Sequence, residues 1–450
     1  KHSYEMEDIA KLLGFVPEKI TSPSYCFAFL QKLRERLDKM ENRSFLIEEI
    51  EMPHLEVVRH MEKQGIRIDR DRLAVIKNEF ERSLNKISAE ILKHTDKDFN
   101  PGSPKQLAEV LFEKLGLPKG KKTKTGYSTD YNVLSSLAEL DIHPLPSLII
   151  KYREYSKLIS TYIDPIFEKA DSDDRLRTTF IVTHAATGRL ASREPNLQNI
   201  PVKTDEGKKI REIFISEKGK KLISLDYSQI ELRILAALSG EEEFIEAFNK
   251  GEDIHKRTAA AIFQTIPGMV DDNMRRHAKA VNFGIIYGMQ AYKLSMDTGV
   301  NIGFAKKYIE NYFACYPKIK KFIDDTILEA KEKGYVETLF KRRRYIPEIN
   351  HSNRFVAKSG ERMAVNTVVQ GSAADLIKAG TIAVHELIKK KYPEAAILLQ
   401  IHDELIIEVD ESRISSISRD FIESLSNAGK YINVALTVNC SSGNNWSELK

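Results

Sequence analysis

The sequence predicts an α+β fold spread over more than one domain, and three observations carry that expectation. At 450 residues the chain exceeds what one compact hydrophobic core usually organises. Long charged stretches with helical periodicity fill most of 55–93, 145–169 and 236–350. Strand-type runs are short and gather at 178–182, 221–225, 396–401 and 405–409. A composition of 42% hydrophobic and 30% charged residues suits a soluble globular chain. No apolar run is long enough to span a bilayer and no signal-peptide pattern is present, so no membrane partner is expected. The chain starts at Lys1 rather than Met, and is expected to be a fragment or processed product. Cys26, Cys315 and Cys440 are isolated, which predicts a reducing compartment without a disulfide framework. A net charge of +4 does not by itself identify a polyanionic partner; local basic clusters matter more.

Residues 1–48 read as helices, 25–40 being the clearest, and Pro53 marks a boundary. The helical pattern of 55–93 is broken at Gly65-Ile66-Arg67-Ile68-Asp69. Ser103 and Pro104 predict the cap and first position of the next helix. Lys119, Lys121, Lys122 and Lys124 stand among glycines and hydroxyls, a basic loop that is either solvated or phosphate-binding. After 178–182 come Thr187-Gly188-Arg189-Leu190 and the amide-rich Pro195-Asn196-Leu197-Gln198-Asn199-Ile200-Pro201. That cluster is either an ordinary turn or a set of amide donors facing nucleic-acid sugars and base edges. Residues 221–225 form a buried-strand pattern ending in Asp226-Tyr227-Ser228-Gln229-Ile230-Glu231. Lys341-Arg342-Arg343-Arg344 reads as a solvated or phosphate-facing surface. A helix is expected over 364–387, with Arg362, Asn366 and Gln370 at spacing four. His402-Asp403-Glu404 then separates two strands, predicting a tight hairpin with acids at its tip.

The stretch that organises the chemistry is 275–288. Asp271-Asp272-Asn273 precedes it and can cap a helix. Arg275, Lys279, Phe283 and Tyr287 are spaced by four, so each step turns the side chain by only about 40°. They share one face, with cations near the helix N-terminus, where the dipole also favours anions, and aromatic rings at the other end. That face suits a ligand carrying phosphates and a flat base; the bland alternative is an amphipathic helix with a core stripe. The acids decide between these. An Asp at a strand end and an Asp-Glu pair at a hairpin tip are what a two-metal phosphoryl-transfer site needs. Mg²⁺ takes few carboxylates beside water and phosphate, so Asp226 and Asp403 can suffice.

In this order the motifs resemble those of family A DNA polymerases, the polymerase fragment of bacterial DNA polymerase I. DYSQIELR at 226–233 resembles motif A, RRHAKAVNFGIIYG at 275–288 motif B and QIHDE at 400–404 motif C. TGRL at 187–190, PNLQNIP at 195–201, EDIH at 252–255 and NTVVQGSAAD at 366–375 extend the likeness from about residue 50 to the C-terminus. The resemblance implies a right-hand polymerase with an antiparallel-sheet palm and largely helical thumb and fingers. The thumb would span 50–176, the palm 177–250 and 351–450, and the fingers 251–350. It implies that Asp226 and Asp403 hold two Mg²⁺ ions, Mn²⁺ being an alternative, with Glu404 close by. Arg275, Lys279 and His255 would bind the incoming dNTP triphosphate, and Lys279 would protonate the leaving pyrophosphate. Phe283 and Tyr287 would pack on its sugar and base, with Glu231 crowding the 2′ position and Gln229 beside them. Arg189, Asn196, Gln198, Asn199, Arg362, Asn366, Gln370 and His402 would line the primer–template DNA, and Lys119, Lys121, Lys122 and Lys124 would grip its backbone. A monomer in the bacterial cytoplasm, at the nucleoid, is expected, an organellar location being the alternative.

One departure qualifies the likeness. In the family a proofreading exonuclease precedes the polymerase, whereas 1–49 resembles only its last helices. The position four after Tyr25 is Phe29 rather than Asp, so packing and no proofreading are expected there. A single-subunit RNA polymerase is the rival reading, but Glu231 with Phe283 fits exclusion of a ribose. A catalytically dead scaffold would be expected to lose the acids.

Overall fold

The computed structural model describes residues 23–38, 42–95, 99–120, 122–123, 126–202 and 204–449. The chain divides into two compact units: Lys1–Gln64, Phe180–Ala191 and Gly219–Ser442 form the first, and Gly65–Thr179, Ser192–Lys218 and Gly443–Lys450 the second.

The first unit is built on a four-stranded sheet of β1 (Lys220–Tyr227), β2 (Ala396–Ile401), β3 (Glu404–Asp410) and β4 (Val438–Gly443), in the order β2-β3-β1-β4. β1 and β3 pair antiparallel from Asp226 opposite Glu404 to Lys220 opposite Asp410. Leu222, Ile223 and Leu225 on β1, and Leu405, Ile406, Ile407 and Val409 on β3, are at most 1% exposed. Both faces are therefore covered, which is why these strands read as continuous apolar runs rather than as alternation.

Seven helices of this unit enter the argument: α1 (Pro23–Asp38), α2 (Met52–Gln64), α3 (Ile230–Ser239), α4 (Ile254–Phe263), α5 (Asp272–Ile286), α6 (Arg354–Lys391) and α7 (Ile414–Ser426). α7 packs on β1 and β3, and α2 on β2. On α1, Phe29 is 3% exposed, so this position is packed apolar surface. The 38 residues of α6 make a rod about 57 Å long. Beside it, the arginines of the basic run at 341–344 are half-buried and paired within the protein, correcting the expectation of a merely solvated or phosphate-facing surface. Arg342 Nε and Nη2 donate to Asp375 Oδ1 at 3.0 and 2.8 Å, and Arg342 also pairs with Glu51. Lys378, 1% exposed, donates to the same Glu51 at 2.8 Å. Arg343 donates to Glu337 at 2.6 Å and Arg344 to Thr367 at 2.7 Å. Each guanidinium thus has a specific partner, which offsets its partial loss of water.

The second unit has a helical core in which Ile91, Leu107, Leu111, Leu134, Leu145 and Ile149 are buried together. The predicted break before residue 70 is the strand Ile66–Ile68, flanked by Arg175–Leu176 and Phe214–Ile215. Asp69 then caps Arg70–Lys93 by accepting from the Arg72 N–H at 2.8 Å. Pro104 opens its helix as expected, although the Ser103 side chain makes no cap bond. In the basic loop, Lys122–Thr123 pairs with Gly126–Tyr127, while Lys121 and Lys124 lie outside the described residues. Among the described residues no helix is long and apolar enough to cross a membrane.

Candidate active site

Two chain reversals build the acidic end of the first unit's sheet. Only His402 and Asp403 join β2 to β3, because Glu404 already pairs with Ile401 and Asp226. His402 takes φ +54°, a left-handed conformation that histidine tolerates better than most side chains. The Tyr227 N–H donates to the Asp403 carbonyl at 3.2 Å, fastening the turn to the residue after Asp226. Asp226 and Asp403 are thus brought to one end of one sheet. Glu404 departs from the sequence expectation: it sits within the strand, 2% exposed, and accepts from the Ser224 hydroxyl.

Asp403 Oδ1 is buried and accepts no hydrogen bond, and Arg189 Nη2 lies 3.7 Å from it. Burial pushes the Asp403 carboxyl above the usual aspartate range, against the pull of Arg189 and His402. A carboxylate stripped of water in this way gains from a bound cation. The donor set is all oxygen, which fits a hard divalent ion.

Past Asp226 the chain turns through Gln229 (φ +55°), whose carbonyl accepts from the N–H groups of Leu232 and Arg233 at 3.0 and 3.2 Å. Arg233 braces this corner, donating to the Ser228 carbonyl at 2.8 Å, the Ala435 carbonyl at 2.5 Å and Thr437 Oγ1 at 3.1 Å. Burial lowers its pKa to about 10, so it stays charged at neutral pH. Glu231, 5% exposed, accepts from Arg189 Nη2 at 2.5 Å and from the Tyr287 hydroxyl at 3.1 Å. Burial pushes its carboxyl up; Arg189 opposes this and Asp403 adds to it. These bonds tie α3, the helix that follows Asp226, to the end of α5.

α5 begins where expected, with the Asp271 side chain accepting from the Met274 N–H at 2.7 Å. Ala278, Val281 and Ile285 form its buried side, whereas Lys279 and Tyr287 are exposed and Arg275 and Phe283 half-buried. The four-residue stripe is therefore the open face. Asp253 anchors that face. It accepts from Arg275 Nε at 2.7 Å and caps α4 through the N–H groups of His255 and Lys256 at 2.9 and 3.2 Å. His255 is 1% exposed, and burial, with Arg275 and Lys279 adding to it and Asp253 opposing, drives its pKa to about 4. Its Nδ1 is 3.0 Å from Asn282 Nδ2, and Asn282 also bonds Thr258 at 3.1 Å. An amide donating to Nδ1 assigns the ring proton to Nε2. The Phe283 ring lies 5.9 Å from the His255 ring.

After α5, Gly288 adopts φ +61°, and a Cβ there would come within 2.7 Å of Arg362 Cγ. Glycine is what lets Arg362 lie over the helix end. Arg362, Asn366 and Gln370 follow one stripe of α6; Asn366 Oδ1 is buried without a hydrogen-bond partner, and Gln370 reaches the Tyr287 hydroxyl.

The first unit thus gathers Asp226, Asp403, Glu404, Glu231, Arg189, Tyr287, Gln370 and Arg362 through one chain of contacts, with Arg275, Lys279, His255 and Phe283 along α5. Asn196, Gln198, Asn199, Lys119 and Lys122 belong to the second unit. Asn196 there caps the turn Leu197–Asn199, accepting from the Gln198 N–H at 3.1 Å, and the Asn199 carbonyl accepts from Tyr162 at 2.6 Å. Lys122 is exposed, and Lys119 Nζ sits 5.2 Å from the Tyr127 ring centre. Sequence reasoning missed Asp253, Asn282 and Arg233. Asp253 carried a usable signal, an Asp one residue before a helix start, and Arg233 another, a lone arginine in an apolar helix. Asn282 carried none.

The family model for DNA polymerase family A matches residues 70–448. DNA polymerase I of Caldicellulosiruptor bescii is 45% identical over 416 residues, 92% of this chain and 49% of that protein. DNA polymerase I of Bacillus subtilis is 43% identical over 426 residues, 94% of this chain and 48% of that protein. The chain spans about half the length of these curated relatives. Among solved structures, the POL domain of Pol1 from M. smegmatis, in complex with DNA primer-template and dNTP, superposes with a TM-score of 0.90 at 37% identity. That match covers 100% of this chain and 80% of the other. With its motif-bearing helix, paired acids and fold matched over nearly their whole extent, the chain belongs to DNA polymerase family A.

Proposed function

We propose that the chain is a template-directed DNA polymerase that extends a primer 3′-hydroxyl with dNTPs and releases pyrophosphate, serving DNA replication and repair. One observation carries the reading: Asp226 and Asp403, at the joined ends of β1 and the β2–β3 turn, are linked through Glu231 and Tyr287 to the helix bearing Arg275 and Lys279. Family membership implies a divalent metal, and we assign two Mg²⁺ ions, with Mn²⁺ as alternative, to Asp226 and Asp403, Glu404 supporting from within β3. When bound, such a pair stabilises the attacking and leaving oxygens of an in-line displacement. The chain's own residues position the reactants, and positioning carries much of the rate in phosphoryl transfer.

Arg275 and Lys279 neutralise the triphosphate, and neutral His255 donates to it from Nε2. Lys279 supplies a proton to the leaving pyrophosphate. Phe283 and Tyr287 pack on sugar and base, Gln229 lies beside them, and Glu231 occupies the space a 2′-hydroxyl would need. Arg189, Asn196, Gln198, Asn199, Arg362, Asn366, Gln370 and His402 contact primer and template, and Lys119, Lys121, Lys122 and Lys124 the duplex backbone. In this reading 50–176 is the thumb, 177–250 with 351–450 the palm, 251–350 the fingers, and 1–49 a remnant without proofreading. The protein acts as a monomer in the bacterial cytoplasm, at the nucleoid. Primer extension on a defined template tests the proposal. Asp226→Ala and Asp403→Ala should each lower the rate by at least about 10²–10³ while duplex affinity stays within a few-fold. Near-normal extension by either variant would remove the two-metal assignment.

A further inference from the structure

On the first unit, at the far end of α6 from the candidate active site, α2 and α6 bring together Glu56, His60 and His385. Each of these offers one ligand atom, and the three atoms lie within 4.8 Å of one another. Glu56 and His60 are one helical turn apart on α2, so their side chains project side by side. His385 comes fifteen residues after Gln370, about 22 Å along α6 from the active-site stripe.

We propose that Glu56, His60 and His385 form a site for a first-row divalent transition metal such as Zn²⁺, distinct from the ions of the acidic sheet end. Two imidazoles and one carboxylate leave the fourth tetrahedral position to water, the usual make-up of an open zinc site. Nitrogen donors also select against Mg²⁺, which prefers oxygen. Both rings are already prepared. His60 Nδ1 lies 2.8 Å from the Glu56 carbonyl, so it is the donor there and Nε2 keeps the lone pair. His385 is 7% exposed, and its Nε2 is buried without a hydrogen-bond partner. The two rings lie 4.8 Å apart, centre to centre. Ligands around a tetrahedral zinc sit roughly 3.4 Å apart, so the exposed Glu56 and His60 must close by up to about 1.4 Å on the buried His385.

Lys389 is the competitor. Its Nζ donates to Glu56 Oε1 at 2.6 Å and to Glu386 Oε1 at 3.0 Å. A metal ion would take over Glu56 and leave Lys389 to Glu386. The site therefore exchanges one cation for another, and a bound ion would pin α2 to α6.

Zinc titration of the DNA-free protein against a chromogenic chelator at neutral pH, with Co²⁺ absorbance as a second readout, tests this independently of polymerase activity. The wild type should bind one zinc that His60→Ala and His385→Ala bind at least ten-fold more weakly, and Lys389→Ala should bind it several-fold more tightly. Tetrahedral Co²⁺ bands should appear in the wild type and vanish in His60→Ala, an exposed position whose loss leaves the fold intact even if His385→Ala misfolds. Equal zinc stoichiometry and affinity in wild type and His60→Ala would overturn the proposal.

Discussion

At the scale of single residues, Glu231 holds three functions in one carboxylate: it takes a bond from Arg189, takes another from Tyr287, and faces Asp403. Glu231→Ala releases both partners and, in the proposed reading, empties the space beside the sugar. Competition between ribo- and deoxynucleotides should then show at least ten-fold greater ribonucleotide use, whereas an unchanged ratio would place Glu231 away from the 2′ position. Phe283 makes the complementary case. Its ring carries no hydroxyl, so if it packs on the sugar as proposed, a dideoxynucleotide finds no replacement there for the 3′-hydroxyl it lacks. A buried polar group left unpaired costs roughly 1–3 kcal/mol, and restoring a partner recovers about one to two powers of ten. Phe283→Tyr should raise dideoxynucleotide use by that factor, measured as chain termination at fixed nucleotide ratio.

At the scale of elements, α6 depends on charges buried along its flank. Asp375 is 0% exposed and receives Arg342 and the Thr338 hydroxyl. Removing one partner of such a pair leaves the other buried and uncompensated, at a cost of about 3–5 kcal/mol. Urea unfolding of Asp375→Ala should show a loss of that order. Asp324→Ala, which breaks the exposed helical pair with Lys320, should stay within about 0.5 kcal/mol of the wild type. The same helix shows what a sequence can and cannot disclose. Periodicity predicted 364–387, but α6 runs from Arg354 to Lys391. Its first turns contain Gly360, a poor helix former, which is required because a Cβ would meet the Ile349 backbone at 2.7 Å. On α5 the spacing of four identified the open face correctly, because burial on a helix follows its own period. Asn282 escaped because its work lies in tertiary contacts to His255 and Thr258, which no local pattern encodes, and the capping signal of Asp253 does not disclose its bond to Arg275. The acidic hairpin was legible as a turn but one residue too long, since nothing local shows that Glu404 pairs with Asp226.

At the scale of the whole molecule, buried histidines contribute to the acid response, with the largest shifts at His54 and His255. His54 and His255 are at most 1% exposed, and burial, the largest cause for each, holds both pKa values at about 4 against 6.5 for a free histidine. Between those values the unfolded chain binds protons that the folded chain refuses, so stability falls as pH drops from 6.5 towards 4. Each fully expressed shift is worth on the order of 3 kcal/mol. Asp403 and Glu231, whose carboxyls are pushed up, act in the opposite sense in the acid range. His54→Gln isolates one contribution. Its urea midpoint should fall less than that of the wild type between pH 7 and pH 5, and an equal fall would mean that His54 is protonated in the folded protein.

The pairing of β1 with β3 also sets a timetable. Ser224 and Glu404, hydrogen-bonded across these strands, are 180 residues apart in the chain. At ribosomal speeds of about 5–20 residues per second, β1 waits roughly 10–40 s for its partner. Throughout that interval Leu222, Ile223 and Leu225 stand on a strand whose neighbour has yet to be made, the kind of edge that recruits other chains. A nascent chain stalled before residue 404 should therefore aggregate or occupy chaperones, whereas one released past β3 should not. The acids to which the proposal assigns the metals meet only late in synthesis, so a product truncated before Asp403 cannot bring it to Asp226.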